Sequence, residues 1–508
     1  MTSITVYDGA TTIGGNKIYV EERGRGVFLD FGMNFAKYGE FFEEFLTERS
    51  GRGIHDLIHL NLIPKLNIYR KDLVPSDLDV ASYPKLNVEA VLLSHAHLDH
   101  CGSAGLLDEN IAVVASPITI AILKALRDIS HTKLGSEITY FSPKVPDKDG
   151  RYLKSPTSGK YIGRKFICTS DPSEELIEFI SSRSGKKKIE TGEMCHVSDA
   201  ALPFEVKVFE VDHSIYGANA YILHGDVTIA YTGDFRLHGR NADKTKKFVK
   251  KAKDARVLII EGTRTEREDV SESEEVVYEN CLKAVEESKG LVIADFSPRN
   301  FERLETFMEI AKKTGRLLVI TAKDAYMLHA IECADGVCRM GDDTLIYYEL
   351  KDRSRSKWET DIVMERWGDR YIDPVEVARN KEQYILCFSF HDIKHLLDIK
   401  PNGGSYIYSS SEAFTEEQKF DFLRLYNWLE YFNFRIYGFE MVLEGGKLVP
   451  SFIKGYHASG HASKSDLKWV IETINPDVII PVHTENPSWF VENFENVVVL
   501  RDGRSYVV

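Results

Sequence analysis

Residues 88–100 read VEAVLLSHAHLDH, an apolar run that ends on Ser94 and then delivers three histidines and an aspartate within six positions. The run is short and almost uniformly apolar from Ala90 to Leu93, so it reads as a strand buried on both faces. His95, His97, Asp99 and His100 therefore stand at the carboxyl end of a buried strand, where a turn aims alternate side chains into one cleft. Imidazole nitrogens and a carboxylate are suitable zinc ligands. His95 and His97, two apart, point to one metal; Asp99 and His100 are offset to reach a second.

One motif cannot fill two coordination shells, so further His and Asp residues are expected at other strand ends. His213 closes FEVKVFEVDH, Asp234 closes VTIAYTGD and His483 closes DVIIPVH. Each alone reads most simply as a satisfied core or loop residue, but their recurrence at strand ends favours a shared site. Asp234 has two oxygens and a small neighbour in Gly233, which suits a carboxylate bridging two metals.

Outward from these motifs, the chain has 508 residues, 43% hydrophobic and 28% charged, with a net charge of −14. That length suits two or three domains, and the composition excludes collagen, coiled coil and wholesale disorder. The longest apolar stretch, 111–123, is broken by Ser116, Pro117 and Thr119 and falls short of the ~20 residues of a membrane span. No membrane association is expected. The start, MTSITVYDGATT, carries no secretory signal pattern. Seven cysteines without a CxxC pair make neither a disulfide framework nor a thiolate zinc site. A cytoplasmic location is the expectation. Net acidity argues against nucleic acid held on a broad basic face, yet a metal supplies positive charge inside a cleft. The lysine runs at 186–188 and 244–253 read as solvated faces.

Strands and amphipathic helices alternate throughout, which is an α/β pattern. ITVYDGATTIGGNKIYVEE opens the chain as a hairpin. Residues 131–203, rich in Lys, Ser, Gly and Pro, read as an inserted, partly irregular arm. From GLVIADFSPRN onward a β-α series suggests a second parallel sheet. IKGYHASGHASKSDLKWVIETI reads as strand, turn and helix, and the chain closes with DVIIPVH and a short terminal hairpin.

HAHLDH, DHSI, TGDFR and a late histidine resemble the metallo-β-lactamase superfamily. IIEGTRTE, YHASGHAS and PVHTE resemble, more narrowly, its β-CASP nuclease branch, which includes ribonuclease J and the cleavage-and-polyadenylation endonuclease subunit. The resemblance spans the chain. It implies an αββα sandwich (residues 1–264, with the arm at 131–203), an inserted α/β β-CASP domain (265–450) and a C-terminal RNA-specificity segment (451–508) that completes the sandwich. It also implies that His95, His97 and His213 bind one zinc and that Asp99, His100 and His483 bind another, with Asp234 bridging. Manganese suits the same N/O ligands. Asp30 would orient a ligand or the bridging water. Two such metals would activate a hydroxide for attack on phosphorus, with Asp99 and Asp234 serving catalysis at the pair and His461, supported by Glu261, at the leaving group. Gly460 lets the backbone approach a phosphate, and the hydroxyls of Ser459 and Ser463 can donate to it. Ser389 stands where the family contacts a phosphate, although a hydroxyl satisfying backbone groups at a strand end is an equal reading.

The implied activity is a two-zinc ribonuclease cutting single-stranded RNA. DNA-directed members often lack a histidine where His483 stands, which favours RNA over the alternative, a DNA nuclease. A non-nuclease hydrolase acting on a thioester or lactam needs neither the insert nor SGHAS, and a non-catalytic relative would have lost ligands. Endo- or exonucleolytic action stays open, and a homodimer is compatible with the resemblance.

Overall fold

The strand Val88–Leu92 lies inside an eight-stranded sheet, parallel to Arg25–Leu29 on one side and to Ala112–Ala115 on the other. Ala90, Val91 and Leu92 are fully buried, as the apolar run predicts. In this computed structural model all residues are described except 44, 131–132, 183–186, 268–271, 352–353 and 411–415, together with the side chains of 416–420. Lys186 of the first lysine run lies outside the described residues.

Beyond Arg25–Leu29 the sheet continues antiparallel through Lys17–Glu22 and Thr2–Asp8 to Arg504–Val507. The opening hairpin is therefore present. The terminal hairpin is not: Arg504–Val507 is a single strand laid on Thr2–Asp8, the partner that best satisfies its backbone. A second sheet runs Glu205–Glu210, Asn219–His224, Thr228–Tyr231, Val257–Glu261 and Val478–Val482. Its last pair is parallel, Val257 opposite Val478 through Glu261 opposite Val482, so residues some 220 positions apart complete one sheet. The inner faces interlock: Val6, Val20, Leu29 and Leu92 pack with Leu223, Tyr231, Ile259 and Val482. Helices cover both outer faces. Pro117–Ile129 packs beside Val91 and Val113; Ala242–Lys251 and Lys464–Ile474 pack on Ala220, Leu258 and Ile260. The result is an αββα sandwich.

Between Val257–Glu261 and Val478–Val482 the chain builds a seven-stranded, all-parallel sheet from Leu291–Asp295 to Phe434–Tyr437, with helices on its faces. Leu291–Asp295 is an interior strand, buried between Tyr384–Cys387 and Gly404–Tyr408. Its helix Ala322–Asp335 packs against Pro117–Ile129 of the sandwich, where Asp128 accepts hydrogen bonds from Tyr326 (2.6 Å) and Tyr140 (2.7 Å) and pairs with Lys124. The insert and the sandwich thus share a buried polar contact within one apolar core.

Two further expectations change. The 131–203 stretch is more integrated than an arm: Phe166–Cys168 and Met194–His196 extend the first sheet in parallel, and Glu174–Ser181 packs on the insert helix Ala322–Asp335. The segment 453–463 forms no strand; the paired strands end at Phe452, in a hairpin with Phe439–Glu444. Among the described residues no helix is long and apolar enough to cross a membrane.

Candidate metal centre

Asp30, Ser94–His100, His213, Asp234, Glu261 and His483 all follow or end strands at one edge of the sandwich. Asp30 is fully buried and adopts a left-handed φ of 58°. Its carboxylate accepts from the Ser94 amide (2.7 Å), the Ser94 hydroxyl (2.8 Å) and the Tyr231 hydroxyl (2.6 Å), and meets His100 Nδ1 at 2.7 Å. With its proton on Nδ1, His100 turns the lone pair of Nε2 into the site, the arrangement that orients a metal-ligating imidazole.

His95, His97 and His213 converge as a first group. His97 Nδ1 lies 3.0 Å from His95 Nε2 and 3.2 Å from His213 Nε2. His213 donates from Nδ1 to the Gly460 carbonyl at 2.6 Å, so its Nε2 also faces inward as a lone pair. Nitrogens around one tetrahedral ion stand roughly 3.3 Å apart, close to this spacing. Burial, reinforced by the neighbouring imidazoles, holds His95 and His97 well below the usual histidine range. Burial also pulls His213 down to about 4, outweighing the nearby Asp234 carboxylate. Neutral rings are the ligating form.

Asp99, His100, Asp234 and His483 form a second group. Asp234 Oδ2 is 2.9 Å from His100 Nε2, 3.8 Å from His95 Nε2 and 3.9 Å from His483 Nε2, which places it between the groups. His483 Nε2 lies 3.2 Å from Asp99 Oδ2, while its Nδ1 meets the Thr263 hydroxyl at 2.9 Å. His483 also takes a left-handed φ of 54°, its amide donating to the Gly9 carbonyl at 2.8 Å. Burial opposes charge on Asp234, but His100, His483 and His461 hold its carboxyl well below the usual range. His100 Nε2 meets only the Asp234 carboxylate, and Asp234 Oδ1 is buried without a hydrogen-bond partner among the described residues. A buried imidazole nitrogen and an unsatisfied carboxylate oxygen at one point fit a cation between them.

His461 lies alongside. Its Nδ1 is 3.1 Å from Glu261 Oε2 and 3.8 Å from Asp234 Oδ2. Burial works against a charged ring, but Glu261 and then Asp234 outweigh it and raise His461 to about 9. A third convergent group, Asp234, Glu261, His461 and His483, overlaps the second. Glu261 is already saturated, accepting from the Thr263 hydroxyl (2.7 Å) and amide (3.2 Å) and the Phe235 amide (3.3 Å) besides His461. That occupancy suits a carboxylate that orients His461.

The expected substrate contacts fare differently. Ser463 caps the helix Lys464–Ile474, donating to Asp466 Oδ2 at 2.8 Å and accepting from the Asp466 amide at 3.2 Å. Ser389 closes the same kind of box with Asp392 at 2.6 Å, in the insert. Both hydroxyls serve as helix caps in this structure. Ser459 braces the loop: its hydroxyl accepts from the His461 amide (3.2 Å) and its carbonyl from His238 (2.8 Å). Gly460 is required by His213 more than by any phosphate, since a Cβ there would stand 2.8 Å from the His213 ring.

Residues not singled out by their spacing tie the site to the insert. Arg236, fully buried two positions after Asp234, pairs with Asp212 (3.2 Å), Glu274 (2.9 Å) and Glu302. Glu274 also binds Arg303 at 2.6 Å, and Arg303 donates to the Ser409 carbonyl (3.0 Å) and the Tyr456 carbonyl (3.2 Å). The one legible signal was a charged residue in TGDFR between positions that must be buried.

The metallo-β-lactamase superfamily profile matches residues 65–164, and the profile of the Zn-dependent metallo-hydrolase RNA specificity domain matches 449–492. Ribonuclease J of Pyrococcus abyssi is 22% identical over 500 residues, covering 96% of this chain and 90% of that protein. Ribonuclease J of Methanocaldococcus jannaschii is 23% identical, covering 94% and 90%. A crystal structure of a protein of unknown function from Enterococcus faecalis V583 superposes over 100% of both chains with a TM-score of 0.68 at 23% identity, a likeness of fold. A divalent-metal donor set at the strand ends of an αββα sandwich, with ribonuclease J relatives along nearly the whole chain, supports a likeness to the metallo-β-lactamase superfamily and, within it, to the ribonuclease J-like β-CASP proteins.

Proposed function

We propose that the protein is a metal-dependent ribonuclease that hydrolyses single-stranded RNA at a two-zinc centre. The observation that carries this reading is the pair of convergent donor groups with Asp234 between them, beside a histidine held protonated by a buried glutamate. The RNA-specificity profile at 449–492 and the ribonuclease J relatives support RNA as the substrate.

His95, His97 and His213 would hold one ion and Asp99, His100 and His483 the other, shared through Asp234. When bound, two divalent ions supply Lewis-acid charge at the phosphate and acidify water. The chain does the rest. Asp30 fixes the His100 ring, the Gly460 carbonyl fixes that of His213, and Thr263 meets His483 at Nδ1. Glu261 accepts a hydrogen bond from Nδ1 of His461 and keeps the ring protonated, so Nε2 carries a proton it can deliver to the departing 3′-oxygen. The proposed division is a sandwich over 1–264, an insert over 265–450 and a closing segment over 451–508.

The test uses purified protein, its metal content measured, with end-labelled single-stranded RNA and DNA of matched sequence. Metal-dependent cleavage of RNA well above DNA is expected. Cleavage of DNA alone, or hydrolysis of neither strand by fully metallated protein, overturns the reading.

A further inference from the structure

Arg299 stands apart from the paired arginines around it. Arg236 meets three carboxylates, Arg303 a carboxylate and two carbonyls, and Arg70 two carboxylates. Among the described residues Arg299 has no carboxylate partner, and its one hydrogen bond runs from Nη1 to the Ala96 carbonyl at 3.3 Å. A guanidinium carries five N–H donors in a planar fork, so four are left over. Arg299 belongs to the insert, on the loop between Leu291–Asp295 and the helix Phe301–Thr314, yet it reaches the backbone between His95 and His97. It is partly exposed, as are His97 and Asp99. Its charge acts on His97, and Asp99 is among the few groups that favour it against burial.

An unpaired cation beside ligands that themselves gather cations is electrostatically costly unless an anion arrives. We propose that Arg299 is the insert's grip on the substrate, its free fork binding a non-bridging phosphate oxygen of the RNA strand where it passes the 95–100 loop. The inference rests on the ribonuclease reading and deepens it. A planar bidentate donor matches a phosphate better than a lysine does. It also gives the insert a chemical reason to stand over the metal site: the metal ligands come from the sandwich, and this contact comes from the insert. Arg299 would be a substrate-binding residue with no part in proton transfer.

The experiment compares wild type, R299Q and R299K. Glutamine can still donate to the Ala96 carbonyl but brings no charge; lysine brings charge without the fork. Metal content is measured for each. Affinity for a short, fluorescein-labelled, phosphorothioate single-stranded RNA is followed by anisotropy across a salt series, and KM and kcat are taken on the cleavable strand. R299Q is expected to keep wild-type metal, to weaken binding and raise KM roughly 10–100-fold with kcat changed less, and R299K to recover part of the loss. The slope of log affinity against log salt should shrink by about 0.7 in R299Q, the value of one phosphate contact on a single strand. If R299Q binds, cuts and responds to salt as wild type does, the proposal falls and the ribonuclease reading stands. If R299Q and R299K both lose metal, Arg299 serves the Ala96 loop instead, and the proposal is again overturned. A metallated wild type that neither binds nor cuts RNA removes both readings.

Discussion

The Gly460 carbonyl accepts a hydrogen bond from His213 Nδ1 at 2.6 Å, and a Cβ on Gly460 would stand 2.8 Å from the His213 ring. The loop that carries His461 therefore also sets the tautomer and position of a candidate ligand 247 residues earlier. Gly460→Ala is expected to push the ring aside and weaken the His95–His97–His213 group. Removing an outer partner of a ligand typically lowers metal affinity about 10–100-fold. Titration with zinc should show one of two sites weakened and the other unchanged, with near-native circular dichroism. Two unaltered sites in Gly460→Ala would show that the loop does not govern His213.

His461 and His483 stack with ring centroids 5.7 Å apart, yet they should fail differently. His483 aims Nε2 at Asp99 and Asp234, while His461 spends Nδ1 on Glu261. His461→Ala should retain both metals and lose roughly 10²–10⁴-fold in cleavage, the range of a lost general acid. His483→Ala should lose one metal. Elemental analysis beside initial rates separates the two, and metal loss in His461→Ala alone would exchange their roles.

What could be read from the chain and what could not follows from where the information lies. The candidate metal donors could be picked out because they stand within a few residues of the ends of strands with recognisable apolar runs. Ser463 and Ser389 are each followed three residues on by an aspartate, Asp466 and Asp392, the pattern of a capping box that both form in the structure; for Ser389 a hydroxyl satisfying backbone groups is one of two equal readings of the sequence. Gly460 is different: nothing near it in sequence shows that its missing side chain makes room for His213. Likewise Arg236, Glu274, Glu302 and Arg303 meet only because the insert docks on the sandwich, and such long-range pairing leaves no periodic trace. The 131–203 stretch was obscured by strands of three residues, Phe166–Cys168 and Met194–His196, too short to show alternation.

Arg236 compensates Asp212, Glu274 and Glu302 in a buried setting. Arg236→Met keeps much of the volume but leaves those carboxylates facing one another. Breaking such a buried cluster typically costs about 3–5 kcal/mol. Burial already raises Glu302 and Asp212 above the usual carboxylate range, so both take up protons readily once the guanidinium is gone. Arg236→Met should therefore be most destabilised near neutral pH, with the deficit shrinking on mild acidification. Urea unfolding of both proteins across pH tests this, and a deficit independent of pH would assign the loss to packing alone.

Asp295 ends an interior strand of the insert, 5% exposed, with the Tyr406 hydroxyl donating to it. Burial pushes its carboxyl up to about 7, against the pull of Tyr406 and with added repulsion from Asp392. An acid whose pKa rises on folding costs stability wherever the unfolded chain would ionise it. Its contribution is neutral below the unfolded value near 4, turns unfavourable as pH rises through the interval, and levels off above about 7. Three units correspond to about 4 kcal/mol, an upper figure for this carboxyl. Asn at 295 keeps an acceptor for Tyr406 and never ionises, but its amide hydrogens need partners, which offsets about 1–3 kcal/mol of the gain. Asp295→Asn is thus expected to be more stable than wild type by about 1–3 kcal/mol near pH 8, and no more stable near pH 4. Denaturant midpoints at the two pH values decide it. An advantage of equal size at both would mean that the carboxyl ionises as easily in the fold as in the unfolded chain, and that charge at the end of this strand carries no cost.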